Sequence, residues 1–281
     1  MKDSRVIFIT GATDGLGRGL AHRLAADGAT LIVHGRDQAK LNSTADGIRD
    51  THGVDRPRTV LADLAELAQV RRLAAEVQAD TGRLDVFVSN AGIGPGNPDG
   101  RTRRTSVDGY ELRFAVNYLA GFLLTSELLP LLRASAPARI VNVSSIAQYP
   151  LEFGDLMLEN GYSGTRAYGQ SKLAQIMSGF EFSSQLPAAE VTVNSLHPAT
   201  YMPTKMVLAE FGRSLDPLEK GVETTHWLVT DPALADTTGK FFDRTREARA
   251  NPQAYDKDAR TKLRLRSLQL TEPRPNHTEG L

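Results

Sequence analysis

The chain contains no cysteine, which excludes disulfides, thiolate metal ligands and thiol catalysis together. It has no excess of charge. Its 33 Lys and Arg balance 33 Asp and Glu, so no global field favours nucleic acid, and no nucleic-acid partner is expected. It also lacks a long uninterrupted apolar run. Val6–Ile9 and Leu128–Leu132 are typical of what is present, against the roughly 20 residues of a membrane-spanning helix. Met1-Lys2-Asp3-Ser4-Arg5 leads into a strand-like run rather than a signal peptide. A cytoplasmic protein without membrane contact is therefore expected. His22, His34, His52, His197, His226 and His277 are scattered, with no i, i+4 pair among them, so no metal site is expected.

What is present is ordinary globular material: 281 residues, 41% hydrophobic and 23% charged, enough for one large core. Short β-branched runs alternate with helical patterns, as a parallel sheet with helical crossovers requires. The strand candidates are seven: 5–10, 30–34, 58–62, 85–89, 138–144, 191–196 and 239–242. Most are continuously apolar, the pattern of strands buried on both faces. Segments 15–27, 66–81, 108–133 and 165–186 repeat apolar residues every three or four positions. The pattern predicts an α/β fold with a doubly wound (Rossmann-type) parallel seven-stranded sheet and helices on both faces. This domain spans residues 1–243. Stretches 92–109 and 148–164 are expected to be surface loops. Residues 244–281 form a charged tail, either partly disordered or helical against a neighbour.

The first strand runs into Thr10-Gly11-Ala12-Thr13-Asp14-Gly15-Leu16-Gly17 and then a helix. Glycines at these positions let the backbone turn sharply and approach a pyrophosphate, whose charge rests on the N–H groups of the helix N-terminus. A bare tight turn would need glycine too, but this one follows the first strand and opens the first helix of a βαβ unit. At the end of the second strand stands His34-Gly35-Arg36-Asp37. Arg36 suits the 2′-phosphate of NADP(H) through a forked, charge-assisted contact, which makes NAD(H) the lesser choice. The alternative has Arg36 pointing to solvent and Asp37 capping the next helix.

Tyr168-Gly169-Gln170-Ser171-Lys172 places a phenol and an ammonium four residues apart, on one helix face. A nearby cation lowers the phenol pKa from its ordinary ~10 and makes it usable as an acid/base near neutrality. Together with the glycine turn, Ser89-Asn90-Ala91-Gly92 and Val143-Ser144-Ser145, this order of motifs resembles the short-chain dehydrogenase/reductase family over about residues 5–242. The long segment between Ser145 and Tyr168, with Glu152, Asp155-Leu156 and Tyr162, resembles its retinol-dehydrogenase-like branch.

The resemblance implies a nicotinamide-dependent oxidoreductase in which Tyr168 exchanges the proton and Lys172 binds the nicotinamide ribose. Ser145 holds the substrate oxygen, with its neighbour Ser144 as the other candidate, and Asn117 orders a relay water. It implies cofactor contacts from Asp63 and Leu64, from Asn90, Ala91 and Gly92, and from Pro198 and Thr204. His197 is expected to be structural. The implied partner is a small carbonyl or alcohol, and pairing of subunits into a homodimer or homotetramer through the helices carrying Asn117 and Tyr168 is common in the family. Tyr149, Leu151, Phe153, Met202, Met206 and Phe211 suggest a bulky, partly hydrophobic substrate. Carbon–carbon double-bond reduction, epimerisation or non-catalytic dinucleotide sensing remain alternatives. The basic run Arg260–Arg266 is expected to be a solvated tail or an oligomer contact.

Overall fold

The computed structural model describes residues 5–96, 100–204, 207–208 and 212–273. Strand β1 (Val6–Ile9) shows why the sheet is covered on both sides. Phe8 joins one apolar cluster while Ile7 and Ile9 join another, because successive side chains of a strand point to opposite faces. The order along the sheet is β3-β2-β1-β4-β5-β6-β7-β8. It is built from β2 (Thr30–Gly35), β3 (Arg58–Leu61), β4 (Val86–Ser89), β5 (Ala138–Val143), β6 (Val191–His197), β7 (Lys240–Asp243) and β8 (Arg246–Ala248).

The predicted doubly wound α/β sheet is present with eight strands instead of seven. The extra strand, β8, pairs antiparallel with β7. Its sequence Arg-Glu-Ala offers no apolar signal, since an edge strand beside solvent needs none. It draws part of the predicted tail into the sheet.

Helices α1 (Gly15–Ala26), α2 (Gln38–His52) and α6 (Leu218–Thr230) cover one face. The contact between α1 and α6 is close: a Cβ on Gly19 would lie 2.7 Å from a Val222 methyl. Helices α3 (Leu67–Asp80), α4 (Leu112–Ala134) and α5 (Gly164–Gln185) cover the other. Helix α3 buries Leu67, Val70, Leu73, Ala74 and Val77, the three- and four-residue spacing of a helix with one apolar stripe.

Helix α4 is the exception to the predicted shortness of apolar segments. It runs 23 residues and contains an 18-residue stretch of mean hydropathy 1.4, long and apolar enough to cross a bilayer, yet 61% of that stretch is buried inside the fold. Arg113, Asn117 and Glu127 interrupt its apolar runs, so the sequence shows no continuous stretch. Helix α7 (Lys257–Thr271) lies on the outer side of α4 and α5. It buries Ala259 and Leu263 against Phe122 and Phe180, and Tyr118 shares a 2.6 Å hydrogen bond with Ser267. The neighbour of this tail helix is thus the chain itself.

The chain crosses over between β1 and β4, and parallel sheets bind ligands beyond the carboxyl ends of the strands at such a switch point. The glycine turn after β1, Ser89–Gly92 after β4, Ser144 and Ser145 after β5 and Pro198–Thr204 after β6 all stand at that end.

Candidate active site

The turn after β1 is shaped by what approaches it. Gly11 and Gly15 have φ of +66° and +48°, a region strained for side chains with a Cβ. A Cβ on Gly17 would fall 2.2 Å from the Gly11 carbonyl oxygen, so no other residue fits. Asp14 caps α1, its carboxylate accepting from Gly15 N at 2.8 Å. The first intrahelical bond runs from Arg18 N to Asp14 O. The first-turn N–H groups of Leu16 and Gly17 lie ahead of it, where a helix end favours an anion. These residues fit a dinucleotide pyrophosphate.

Two side chains brace the turn. The Asn90 carboxamide donates to the carbonyls of Thr10 at 2.8 Å and Gly11 at 3.1 Å, so its NH2 is committed to the fold. Backbone N–H groups of Asn90 and Ala91 both donate to Thr10 Oγ, and Ala91 Cα would lie 2.9 Å from a Cβ on Gly11. His34, read in the sequence only as a strand residue, is the second brace. Its Nδ1 accepts from Gly11 N at 3.2 Å while Nε2 faces the Ala62 carbonyl at 3.0 Å, a pairing that requires the neutral ring protonated on Nε2. Burial pulls its pKa down to about 4. A histidine followed by glycine at the end of an apolar strand was the available signal.

The adenine-side residues divide. Arg36 is exposed at the end of β2, and among the described residues it enters no ion pair. Asp37 caps α2, accepting from Lys40 N at 3.0 Å. Thr13 lies across Gly35, where a Cβ would meet its methyl at 2.5 Å. Asp63 turns one carboxylate oxygen onto Ala65 N at 2.9 Å, and Leu64 is buried. Pro198 is buried too. Thr204 rests against the glycine turn, its methyl 3.0 Å from a Cβ built on Gly15.

On α5, Tyr168 is half-buried and Lys172 is buried, and the ammonium lies 5.9 Å from the centre of the phenol ring. Lys172 Nζ donates to the Val143 carbonyl at 2.8 Å and faces Gln175 Oε1 at 3.4 Å. Desolvation lowers its pKa to about 8. The two serines separate cleanly. Ser144 Oγ donates to the Lys172 carbonyl at 2.9 Å, which ties β5 to α5. Ser145 Oγ instead accepts from Ala147 N at 3.0 Å, leaving its O–H hydrogen for an oxygen in the site.

Asn117 sits in a single π-helical turn, Ala115–Leu119, inserted in α4. Such bulges mark functional sites. Its side chain accepts from Ile93 N at 2.8 Å and donates to Ile93 O at 3.1 Å and Ser171 Oγ at 3.0 Å. The carboxamide therefore holds the strap after β4 rather than pointing outward.

Of the predicted lining residues, Tyr149 packs its ring against Gly169, where a Cβ would come within 2.2 Å of it. Leu151 and Phe153 turn away and join the cluster beneath α7, and Met202 packs its sulfur on Gly221. Apolar sequence alone does not distinguish loop lining from loop anchoring. Met206 and Phe211 lie outside the described residues. Ile146, Tyr201, Leu208 and Leu215 are exposed on segments that follow β5 and β6. His197 is buried, with Nε2 3.2 Å from Thr200 Oγ, and burial pulls its pKa to about 4.

The sequence matches the short chain dehydrogenase family profile over residues 5–212. It is 32% identical to human retinol dehydrogenase 13, over 95% of this chain and 84% of that protein. It is 33% identical to mouse polyprenol dehydrogenase, over 99% of this chain and 87% of that protein. A short chain dehydrogenase from Escherichia coli CFT073, solved in complex with NADPH, superposes with a TM-score of 0.68 at 28% identity, covering 85% of this chain and 96% of that one.

Proposed function

Because the chain belongs to the short chain dehydrogenase family, whose members act with a nicotinamide dinucleotide on alcohol and carbonyl groups, we propose that it interconverts a carbonyl and an alcohol with NADP(H). The substrate in this reading is a bulky, partly hydrophobic small molecule. The observation that carries the reading is the convergence of Tyr168, Lys172 and Ser145 with the glycine turn at the carboxyl end of the sheet.

Bound NADP(H) supplies or accepts the hydride. In the reductive direction Ser145 O–H donates to the carbonyl oxygen and holds it. Tyr168 gives that oxygen its proton as negative charge develops, and the Lys172 cation stabilises the phenolate left behind. Preorganised donors at a developing alkoxide are where most of the rate gain arises. Asn117 keeps the Ile93 strap in place beside this line.

Arg36 beside Gly35 supports NADP over NAD, as does the NADPH bound in a structural relative. Exposed Ile146, Tyr149, Tyr201, Leu208 and Leu215 support an apolar substrate body, and the relatives named for retinol and polyprenol agree with it.

The test is Tyr168→Phe with a panel of hydrophobic aldehydes, ketones and alcohols, followed by NADPH absorbance. Turnover is expected to fall about a thousand-fold while NADPH binding stays near that of the unsubstituted protein. Undiminished turnover would overturn the assignment.

A further inference from the structure

Arg113 is the largest fully buried side chain among the described residues. A guanidinium removed from water is costly unless its N–H groups are met, and here they are met by three different segments. Nε donates to Gly94 O at 2.9 Å and Nη2 to Pro95 O at 2.5 Å, both on the strap that follows Asn90-Ala91-Gly92. Nη1 donates to the Tyr162 hydroxyl, just before α5. The same Nη1 lies 3.6 Å from Glu111 Oε1. Tyr162 in turn donates to that oxygen at 3.2 Å, and Glu111 Oε2 accepts from Phe114 N at 2.7 Å. Burial, with the Glu111 charge beside it, raises the Tyr162 pKa to about 12, so it stays a phenol.

What this cluster joins is close to the proposed chemistry. The strap is held at Ile93 by Asn117 and at Gly94 and Pro95 by Arg113, two residues of α4 on either side of the start of its π turn. A Cβ on Gly92, at the strap's beginning, would lie 3.6 Å from Lys172 Nζ. The strap's far side is pressed onto the first residue of α5. Gly164 N donates to Gly100 O at 2.8 Å, and a Cβ on Gly164 would fall 2.0 Å from Pro95 O. Helix α5 starts there, with Ser163 as its cap accepting from Arg166 N at 3.3 Å, and reaches Tyr168 one turn later.

We infer that Glu111, Arg113 and Tyr162 form a positioning clamp that sets the start of the Tyr168–Lys172 helix against the strap over the Lys172 ammonium. The clamp touches neither substrate nor cofactor and acts through Tyr168 and Lys172; it rests on the oxidoreductase reading above. Arg113 is suited to it because a planar fork can reach three acceptors at fixed angles, which a lysine cannot.

Removing Arg113 alone would strand a buried carboxylate, so the decisive variant is the double substitution Glu111→Gln with Arg113→Met. Replacing both charges of a buried pair is often neutral for stability. Tyr162→Phe, which loses one hydroxyl and keeps the ring, is the milder companion. Three readouts apply: amide exchange at Ile93–Gly94 and Gly164–Tyr168, NADPH binding, and the pH profile of kcat. Expected for the double variant is faster exchange at both segments together, NADPH affinity within about three-fold, and kcat lower by about a hundred-fold with its alkaline limb displaced. Tyr162→Phe should shift the same readouts less. Lower kcat with an unmoved limb, or exchange that changes at one segment alone, would overturn the clamp. Coupled exchange in a protein that turns over no carbonyl would overturn the oxidoreductase reading and leave the clamp as a brace between the two segments.

Discussion

Lys172 donates a 2.8 Å hydrogen bond to the carbonyl of Val143, so the ammonium that faces the Tyr168 ring is anchored to the end of strand β5. Burial without a carboxylate at hand is what lowers its pKa to about 8. The cation is therefore present below that pH and is lost above it. Since the free enzyme's essential groups shape kcat/KM, reductive kcat/KM should fall on an alkaline limb near pH 8. Lys172→Arg keeps its charge throughout, and the limb should disappear although the rate drops. A limb that stays in place in that variant would show that another group titrates there.

The adjacent serines make opposite bonds and should fail in opposite ways. Ser145→Ala removes the donor left over for a substrate oxygen and should lower kcat by about a hundred-fold, with the smaller stability cost because Ala147 N, which loses its acceptor, lies on an exposed residue that water can reach. Ser144→Ala removes the bond to the Lys172 carbonyl and should cost about 1 kcal/mol of stability, with the smaller kinetic effect. Steady-state kinetics and urea melts on the two proteins decide it, and a larger kinetic loss from Ser144→Ala would reverse the assignment.

Cofactor choice should hang on Arg36. Arg36→Leu is expected to raise KM for NADPH about ten-fold and to leave KM for NADH where it was. Equal changes for the two cofactors would mean that the guanidinium does not meet the 2′-phosphate.

Stability should fall on acidification through His34. Its folded-state pKa, about 4 against 6.5 for a free imidazole, lies below the unfolded value, so the unfolded chain takes the extra proton first. The contribution of the neutral ring is whole above pH 6.5 and is lost as pH falls toward 4, by about 3 kcal/mol. His197 is depressed in the same direction by burial and adds to the loss. His34→Asn keeps an acceptor for Gly11 N without the titration. Urea midpoints at pH 7 and pH 4.5 should therefore lie closer together in that variant, and an unchanged gap would exclude His34 as a cause.

By itself the sequence determined the sheet, the helices on both faces, the glycine turn and the Tyr168–Lys172 pair, because each is written in local terms. Strand β1 is apolar without alternation since both faces are covered, and Gly11 and Gly17 stand where backbone passes close to backbone while Gly15 takes a positive φ. A tyrosine and a lysine four apart share a helix face wherever the helix lies.

Only the tertiary structure decided what long-range contacts decide. Ser144 is a tie and Ser145 is not, because the Lys172 carbonyl comes to one of them. Asn90 and Asn117 spend their amides on backbone far away in the chain, and Leu151 and Phe153 turn toward α7 instead of the site. β8, a polar edge strand, had no local signal. Above all, Arg113 between the strap and α5 was silent in the sequence, and His34 beneath the glycine turn showed only its place at a strand end, not its partners. What they do depends on carbonyls and N–H groups that only the assembled sheet end brings within 3.2 Å of them, and no spacing along the chain encodes such a meeting.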